Sequence, residues 1–326
     1  MPVARCLRDV RKFGMPNFRF RHYERLLGIA LATAALSACS GDDAAAPAPP
    51  ADDRLHVVTT FTVLADMVAE VGGDRVRVES ITKAGAEIHG YEPTPADLVR
   101  AQGADLVVDN GLGLEAWFAR FLDDVDAPHV TVSDGIVPQP IASGEAAGHP
   151  NPHAWMSPTA GQTYVTNIAD ALAAADPAGA ALYRANAAAY REQLARLARE
   201  LADAVATVPE PARLLVTCEG AFSYLARDAG LREAYLWPVN AESQATPRSA
   251  VAVVDAVRRG RPRAVFCEST VPDVAQRQVA RETGTHLVGP LYVDSLSGPD
   301  GPVPTYLDLL RHTTTAIVAG LTQEEP

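Results

Sequence analysis

AGAALYRANAAAYREQLARLARELADAVAT, residues 178–207, is a run rich in Ala and Leu without proline and without glycine after Gly179. Such a composition predicts one continuous helix of about 45 Å, since an α-helix rises about 1.5 Å per residue. The apolar positions do not keep a strict heptad, which disfavours half of a coiled coil. We therefore interpret residues 177–208 as a single helix that links two parts of the chain.

Strands and helices alternate on both sides of this helix. Short runs typical of strands lie at 56–61, 75–81, 105–109 and 129–133, and again at 213–219, 234–239, 263–268 and 286–291. Segments with helical spacing lie between and after them, at 64–73, 94–103, 115–124, 159–175, 221–230, 246–260, 273–284 and 304–321. This alternation indicates parallel sheets with helices on their faces. We predict an α/β fold of two (β/α)4-type lobes, residues 54–176 and 209–326, with a cleft between them.

The first 38 residues have the pattern of an export signal. A basic segment precedes the uncharged run 26–38, which is too short to span a membrane. The run ends in Leu-Ser-Ala-Cys39, which resembles a bacterial lipobox, so we predict a lipoprotein signal peptide at 1–38 and lipidation of Cys39. A plain signal peptide that contains a cysteine is the alternative, and Met15 is an alternative start.

Residues 39–53 are small, Pro-rich and acidic, and they predict a flexible tether. The folded body is therefore expected outside the cytoplasm, anchored by lipid to the outer face of the membrane. That face is either in the periplasm or at the cell surface.

Charge and composition restrict the function. The chain has 28 Lys and Arg against 40 Asp and Glu, a net charge of −12, and beyond residue 38 the net charge is −17. This balance argues against a nucleic-acid partner. Four cysteines in 326 residues exclude a disulfide-dense scaffold, and 48% hydrophobic residues suffice for a globular core.

Four polar residues lie just past predicted strands or in the loop before the long helical region: His89, His153, Glu219 and Asp294. In open parallel sheets, ligands bind beyond the carboxyl ends of the strands. Imidazole nitrogens and carboxylate oxygens bind first-row divalent ions, and two carboxylates balance a 2+ charge. Four protein donors also leave little room for a reactive water, in contrast to a catalytic zinc site.

The motifs around these residues carry a family resemblance. HGYEPTP (89–95), NPHAWMSP (151–158), CEGAFSYLARDAGL (218–231) and LYVDSLS (291–297) occur in that order. Over about residues 55–322 the chain resembles the metal-binding solute-binding proteins of bacterial ABC importers, the manganese, zinc and iron group called cluster A-I. The resemblance implies two α/β lobes joined by a rigid helix, with one metal held in the cleft by the four residues above. It also implies a transmembrane permease and its cytoplasmic ATPase as partners, and we expect a monomer.

The third proposed ligand bears on the identity of the metal. Zinc-type members, by resemblance, hold His where this chain has Glu219, and they often carry a His-rich loop whose counterpart here, 139–152, has one His. Oxygen donors favour manganese, with zinc and then iron as alternatives. By affinity order zinc could still bind more tightly in vitro, so binding alone does not identify the cargo.

Other polar residues near the predicted site have supporting interpretations. Glu92 lies close to His89, and Glu268 ends a strand next to that of Glu219, so we predict that both orient ligands by hydrogen bonds. Cys218 and Cys267 end neighbouring strands; a structural disulfide is favoured over buried free thiols or extra soft ligands. His22 lies in the predicted signal peptide, and the remaining histidines are interpreted as structural or solvated: His56, His129, His149, His286 and His312.

The sequence is less compatible with two other function classes. An enzyme is disfavoured because the sequence contains no HExxH, no GxSxG with matching partners and no P-loop. A surface adhesin or scaffold lipoprotein would not need all four ligands, and alanine substitutions at those positions would leave adhesion intact. A small rocking of the second lobe is expected on metal binding, because the long helix should limit the hinge.

Overall fold

The computed structural model describes residues 53–115, 117–118, 125–142, 146–239 and 245–322. Its first half contains β1 (Leu55–Thr59), α1 (Thr62–Gly72), β2 (Val76–Ser80), α2 (Pro95–Gln102), β3 (Leu106–Asp109), β4 (His129–Thr131) and α3 (Pro158–Ala175), followed by the long helix α4 (Ala180–Thr207). Its second half contains β5 (Leu214–Glu219), α5 (Ser223–Ala229), β6 (Arg232–Trp237), α6 (Pro247–Gly260), β7 (Ala264–Glu268), α7 (Val274–Thr283), β8 (His286–Leu291) and α8 (Tyr306–Thr322). The predicted signal peptide, Cys39, the tether up to residue 52 and most of the helix predicted at 115–124 lie outside the described residues.

The first half is built on a four-stranded parallel sheet with the order β2-β1-β3-β4. β1 and β3 lie in its centre, and their side chains are buried almost throughout. Because a central parallel strand is covered on both faces, it forms as a continuous apolar run rather than an alternating one. The polar loops that follow β2 and β4 therefore emerge at one edge, where the strands end.

The second half has the corresponding order of strands, arranged as two hydrogen-bonded pairs that lie next to each other. β5 pairs with β6 and β7 pairs with β8, in parallel, while β5 and β7 lie side by side. Gln276 on α7 bridges the two inner strands, since its Nε2 donates to the carbonyl oxygens of Val216 (3.1 Å) and Phe266 (2.8 Å). The predicted α/β fold with parallel sheets is confirmed.

The Ala- and Leu-rich run forms one continuous helix of 28 residues, preceded by a 3-10 turn over Pro177–Gly179. Its buried side chains recur every three or four residues, as expected of one apolar face: Tyr183, Ala187, Tyr190, Leu194, Leu197, Leu201 and Val205. This face packs against α1 and α3 from the first half and against α5 and α8 from the second. α4 thus contributes to a hydrophobic core that both halves share.

Local capping sets where the helices next to the loops begin. Thr94 forms a capping box with Asp97 at the start of α2, and Pro95 occupies the first helical position. The Ser157 hydroxyl accepts from the amides of Thr159 and Ala160 and so starts α3 directly after the NPHAWM segment.

The contacts group residues from Asp52 onward into one compact unit. The division into two lobes and a linking helix therefore stays a prediction. Among the described helices, none has both the length and the apolar character needed to cross a bilayer.

Candidate metal centre

The four predicted ligands come together at one point. Nε2 of His89 lies 3.0 Å from Nε2 of His153. Oε1 of Glu219 lies 3.6 Å from Nε2 of His89 and 3.9 Å from Nε2 of His153. Oδ1 of Asp294 lies 4.0 and 3.8 Å from the same two nitrogens. A first-row ion with ligand bonds of about 2.0–2.2 Å needs neighbouring donor atoms roughly 3–3.6 Å apart, so these spacings suit a single ion after small adjustments.

Burial keeps both histidines neutral. The side chain of His89 is 6% exposed and that of His153 is fully buried. Burial lowers the pKa of His89 to about 4, and burial together with the neighbouring His89 lowers the pKa of His153 far below its usual value. Neutral rings present lone pairs, which is the form that binds a metal.

Burial acts on the carboxyl groups in the opposite direction. It raises the pKa of Asp294 well above its ordinary value, and the charges of Glu219 and Glu87 raise it further. Oδ1 of Asp294, the oxygen that faces the two imidazoles, is buried and has no hydrogen-bond partner among the described residues. A divalent cation placed here would supply the missing partner and offset the repulsion between the carboxylates.

His153 is held by its own motif. Its backbone amide donates to Oδ1 of Asn151 (3.0 Å), and its ring Nδ1 lies 2.9 Å from the same oxygen. Two residues further on, Nε1 of Trp155 donates to the carbonyl of Val293 (3.0 Å), the residue before Asp294. The NPHAW segment therefore positions a first-half ligand and the backbone of a second-half ligand together.

The loop that carries His89 is fixed by Glu87 and by a serine from the second half. Oε1 of Glu87 accepts from the backbone amides of Ile88 (3.0 Å) and His89 (2.9 Å). The amide of Gly85 donates to Oγ of Ser295 (2.6 Å), the residue after Asp294. The His89 loop and the Asp294 loop are thus joined directly.

Glu219 ends β5, where a neighbouring carboxyl group supports it. Its backbone amide donates to Oε2 of Glu268 (3.2 Å), which ends β7. Burial raises the pKa of Glu268 to about 8, so this group is largely protonated at neutral pH and adds little charge to the centre. Cys218 and Cys267, the residues before these two acids, form a disulfide with Cα atoms 5.0 Å apart. The strand ends that carry Glu219 and Glu268 are therefore covalently tied, by the pairing that the sequence analysis favoured.

Further hydrogen bonds, made by Asn110 and the residues around it, hold the His153 loop in place. Nδ2 of Asn110 donates to the carbonyl of Pro152 (3.1 Å), and Oδ1 of Asn110 accepts from the hydroxyl of Tyr164 (2.6 Å). The Glu115 carboxylate accepts from the amides of Asn110 and Gly111, at 2.8 and 3.1 Å. The segment Asn110–Glu115 (NGLGLE) thus supports the motif that carries His153.

The structure brings together the four predicted ligands, with Glu268 beside them, but it does not bring Glu92 to the centre. Glu92 is exposed, and the acid that contacts the His89 segment is Glu87. Glu87 was not predicted, although its position two residues before His89 was a usable signal. Asn151 was not predicted either, although it lies two residues before His153 in the NPHAWMSP segment.

The histidines interpreted as structural or solvated lie away from the centre. Nδ1 of His56 lies 2.8 Å from the carbonyl of Gly103, and Nε2 of His129 lies 3.5 Å from Asp109. His149 and His286 are exposed, and Nε2 of His312 lies 3.2 Å from the carbonyl of Pro290. None of these rings reaches the His89–His153 pair.

Comparisons with known proteins show the family to which the chain belongs. Residues 57–320 match the family model described as zinc-uptake complex component A, periplasmic (ZnuA). The iron-binding protein YfeA of Yersinia pestis is 47% identical over 294 residues, which cover 90% of this chain and 92% of the relative. The manganese-binding lipoprotein MntA of Halalkalibacterium halodurans is 34% identical over 272 residues, covering 83% and 90%. A Mn-bound mutant of a periplasmic metal binding protein from Candidatus Liberibacter asiaticus has a TM-score of 0.78 at 39% identity, covering 82% of this chain and 100% of that chain.

Proposed function

Because this chain belongs to the zinc-uptake complex component A family, the substrate-binding proteins of ABC metal importers, we propose that it captures one Mn²⁺ ion and delivers it to a permease. The observation that carries the proposal is the convergence of two neutral imidazoles and two carboxylates, from four separate segments, at mutual distances of 3.0–4.0 Å. The family's function is transport, and the metal is cargo.

His89, His153, Glu219 and Asp294 are proposed as the ligands. Each offers a buried donor atom toward the same point, and the two carboxylates balance the charge of a divalent ion. Neutralisation lowers the cost of holding the ion out of water. Glu87 and Glu268 are proposed to hold ligand segments in place rather than to bind the ion.

Manganese is preferred because half of the donor set is carboxylate oxygen, which a hard divalent ion favours. Iron takes second place ahead of zinc, the reverse of the order expected from the sequence, since the relative with 47% identity is an iron-binding protein. Zinc is the third candidate. It stays a candidate because nitrogen and oxygen donors generally bind Zn²⁺ more tightly than Mn²⁺.

Two further parts of the proposal concern location and shape. We propose that Cys39 carries the lipid anchor and that the body stays at the outer face of the membrane, as a monomer that meets a permease with its cytoplasmic ATPase. We also propose that residues 54–176 and 209–326 act as two lobes, with α4 as the connection that restricts their movement.

The test uses residues 40–326, stripped of metal by a chelator and dialysed separately against Mn²⁺, Zn²⁺ and, without oxygen, Fe²⁺. The parent chain is expected to retain one Mn²⁺. Glu219→His replaces an oxygen donor by nitrogen, so Mn²⁺ affinity should fall by more than about tenfold while Zn²⁺ affinity is kept.

The matched control is Glu210→His, the same substitution at an exposed position, which should leave all affinities unchanged. Retention of Zn²⁺ with no Mn²⁺ would reassign the cargo. If the parent retains none of the three ions, the ligand assignment is wrong and a scaffold role gains support.

A further inference from the structure

The side chain of Asn151 hydrogen-bonds a proposed ligand in the first half of the chain and the residue after another proposed ligand in the second half. Its Oδ1 accepts from the backbone amide of His153 (3.0 Å) and faces ring Nδ1 of His153 (2.9 Å). Its Nδ2 donates to the carbonyl of Gly220 (2.6 Å) and to Oγ of Ser223 (3.2 Å). Gly220 directly follows Glu219, and Asn151 is only 2% exposed.

Two backbone groups fix which way this carboxamide points. The amide of His153 can only donate, and the carbonyl of Gly220 can only accept. A flipped Asn151 would set N–H against N–H on one side and oxygen against oxygen on the other. Its Oδ1 must therefore face His153.

The fixed oxygen selects one tautomer of His153. A neutral imidazole carries its proton on either Nδ1 or Nε2, and only a protonated Nδ1 can donate to Oδ1 of Asn151. With the proton on Nδ1, Nε2 is left as a lone pair. That lone pair faces His89, Glu219 and Asp294.

The first turn of α5 holds Asn151 in place from the second half. The hydroxyl of Tyr224 donates to the carbonyl of Asn151 (2.7 Å). Oγ of Ser223, which accepts from Asn151, donates in turn to Oε2 of the half-buried Glu233 (2.7 Å). Rotation of the carboxamide would break several buried hydrogen bonds at once, each costly to leave unmade.

From these contacts we infer that Asn151 is a positioning residue that keeps His153 in its metal-binding tautomer and ties that ligand to the segment of Glu219. The inference rests on the proposed function, because it assigns Asn151 a task at the same centre. It predicts that His153 is prepared for the ion before any ion arrives. It also predicts that a first-half ligand and a second-half ligand move together.

The experiment compares the parent with Asn151→Ala, Asn151→Asp and the control Asn167→Ala, all as metal-free residues 40–326. Asn167 is the same residue type, and its Nδ2 donates to two carbonyls away from the centre, those of Val132 and Asp134, each at 2.9 Å. Nitrogen-15 NMR of the histidine rings reports the tautomer of His153 without metal, and titration with Mn²⁺ reports affinity.

The parent and Asn167→Ala are expected to show His153 protonated on Nδ1. Asn151→Ala should populate the Nε2-protonated form and lose about 10–100-fold in Mn²⁺ affinity, the usual cost of removing a group that orients a ligating histidine. Asn151→Asp keeps an acceptor for Nδ1, so it should keep the tautomer although it loses the donor to Gly220.

Two results would overturn the inference. One is Asn151→Ala with the tautomer and the Mn²⁺ affinity of the parent. The other is Asn151→Asp with His153 protonated on Nε2, a result that decides the question even where the alanine variant does not fold. A parent that shows the expected tautomer but binds no Mn²⁺ would refute the proposed function and leave the tautomer assignment of Asn151 standing.

Discussion

Gly220 shows how a single residue limits the geometry of the centre. It follows Glu219 at the end of β5, and its amide donates to the carbonyls of Trp237 (3.0 Å) and Pro238 (2.8 Å). A Cβ added at this position would lie 2.4 Å from the carbonyl oxygen of Pro238 and 2.9 Å from the ring of Tyr235. Because the blocking atom is backbone, relief requires the Glu219–Gly220 segment to shift.

Gly220→Ala is therefore expected to weaken Mn²⁺ binding by about tenfold or more and to cost about 1–3 kcal/mol in the free energy of unfolding. Gly298→Ala is the matched control, since a Cβ there has no neighbour within 4 Å. Metal titration and urea unfolding of the two variants make the comparison. Equal affinities in the parent and both variants would show that the position of Glu219 tolerates this shift.

Asp66 connects two helices from different halves of the chain. Because burial raises its pKa, it makes the free energy of unfolding depend on pH. Its Oδ2 accepts from the amide of Tyr306 (2.8 Å), so α1 contacts the first residue of α8. Burial raises the pKa of Asp66 to about 6, against an ordinary value of 3.8. Between these two pH values the folded chain holds a proton that the unfolded chain has released, so the free energy of unfolding falls as pH rises.

Asp66→Asn should abolish this part of the pH dependence, because the amide oxygen can still accept from Tyr306 and carries no charge. At pH 7 the variant should be more stable than the parent by on the order of 1–2 kcal/mol, and near pH 4 the two should be similar. Urea unfolding in the presence of chelator, followed by circular dichroism from pH 4 to 7.5, measures this difference. Asp300→Asn, at an exposed position, is the control, and the same pH profile in all three proteins would contradict the prediction.

At the scale of elements, the sequence predicted well what depends on local pattern. β8 has the predicted bounds 286–291, and α4 begins three residues after its predicted start. Local rules succeed there because propensity, capping and apolar spacing all act within a few residues.

Contacts between distant segments were beyond the reach of these rules. The Asn151 carboxamide meets Gly220 and Ser223 about 70 residues further along the chain, and no periodicity encodes such a pairing. The four proposed ligands were predicted from their positions near strand ends and from the family motifs around them, not from periodicity. Glu92 was chosen for its position near His89 and Glu87 was not considered, although Glu87 is nearer in sequence and accepts from the amides of the His89 loop.

For the whole molecule, the contacts across the centre predict a small conformational response to metal. α4 packs against helices of both halves, and Trp155 donates to the carbonyl of Val293 on the far side of the site. Oγ1 of Thr62 accepts from the amide of Leu296 (3.0 Å), which ties α1 to the Asp294 loop. A large hinge opening would have to break these bonds and expose part of the shared core.

We therefore expect the radius of gyration, measured by X-ray scattering, to differ by less than about 1 Å between chelator-treated and Mn²⁺-loaded protein, in the range of pre-organised binding proteins. Trp155→Phe keeps an aromatic ring beside Phe61 and His153 but removes the bond to Val293, so its metal-free form should open further than the parent's. Trp237→Phe is the matched control, because Nε1 of Trp237 has no hydrogen-bond partner among the described residues. Two results would mean that the bonds that position the ligands do not hold the halves together. One is a decrease of several ångströms in the parent's radius of gyration on Mn²⁺ binding, and the other is the same change in Trp155→Phe and Trp237→Phe.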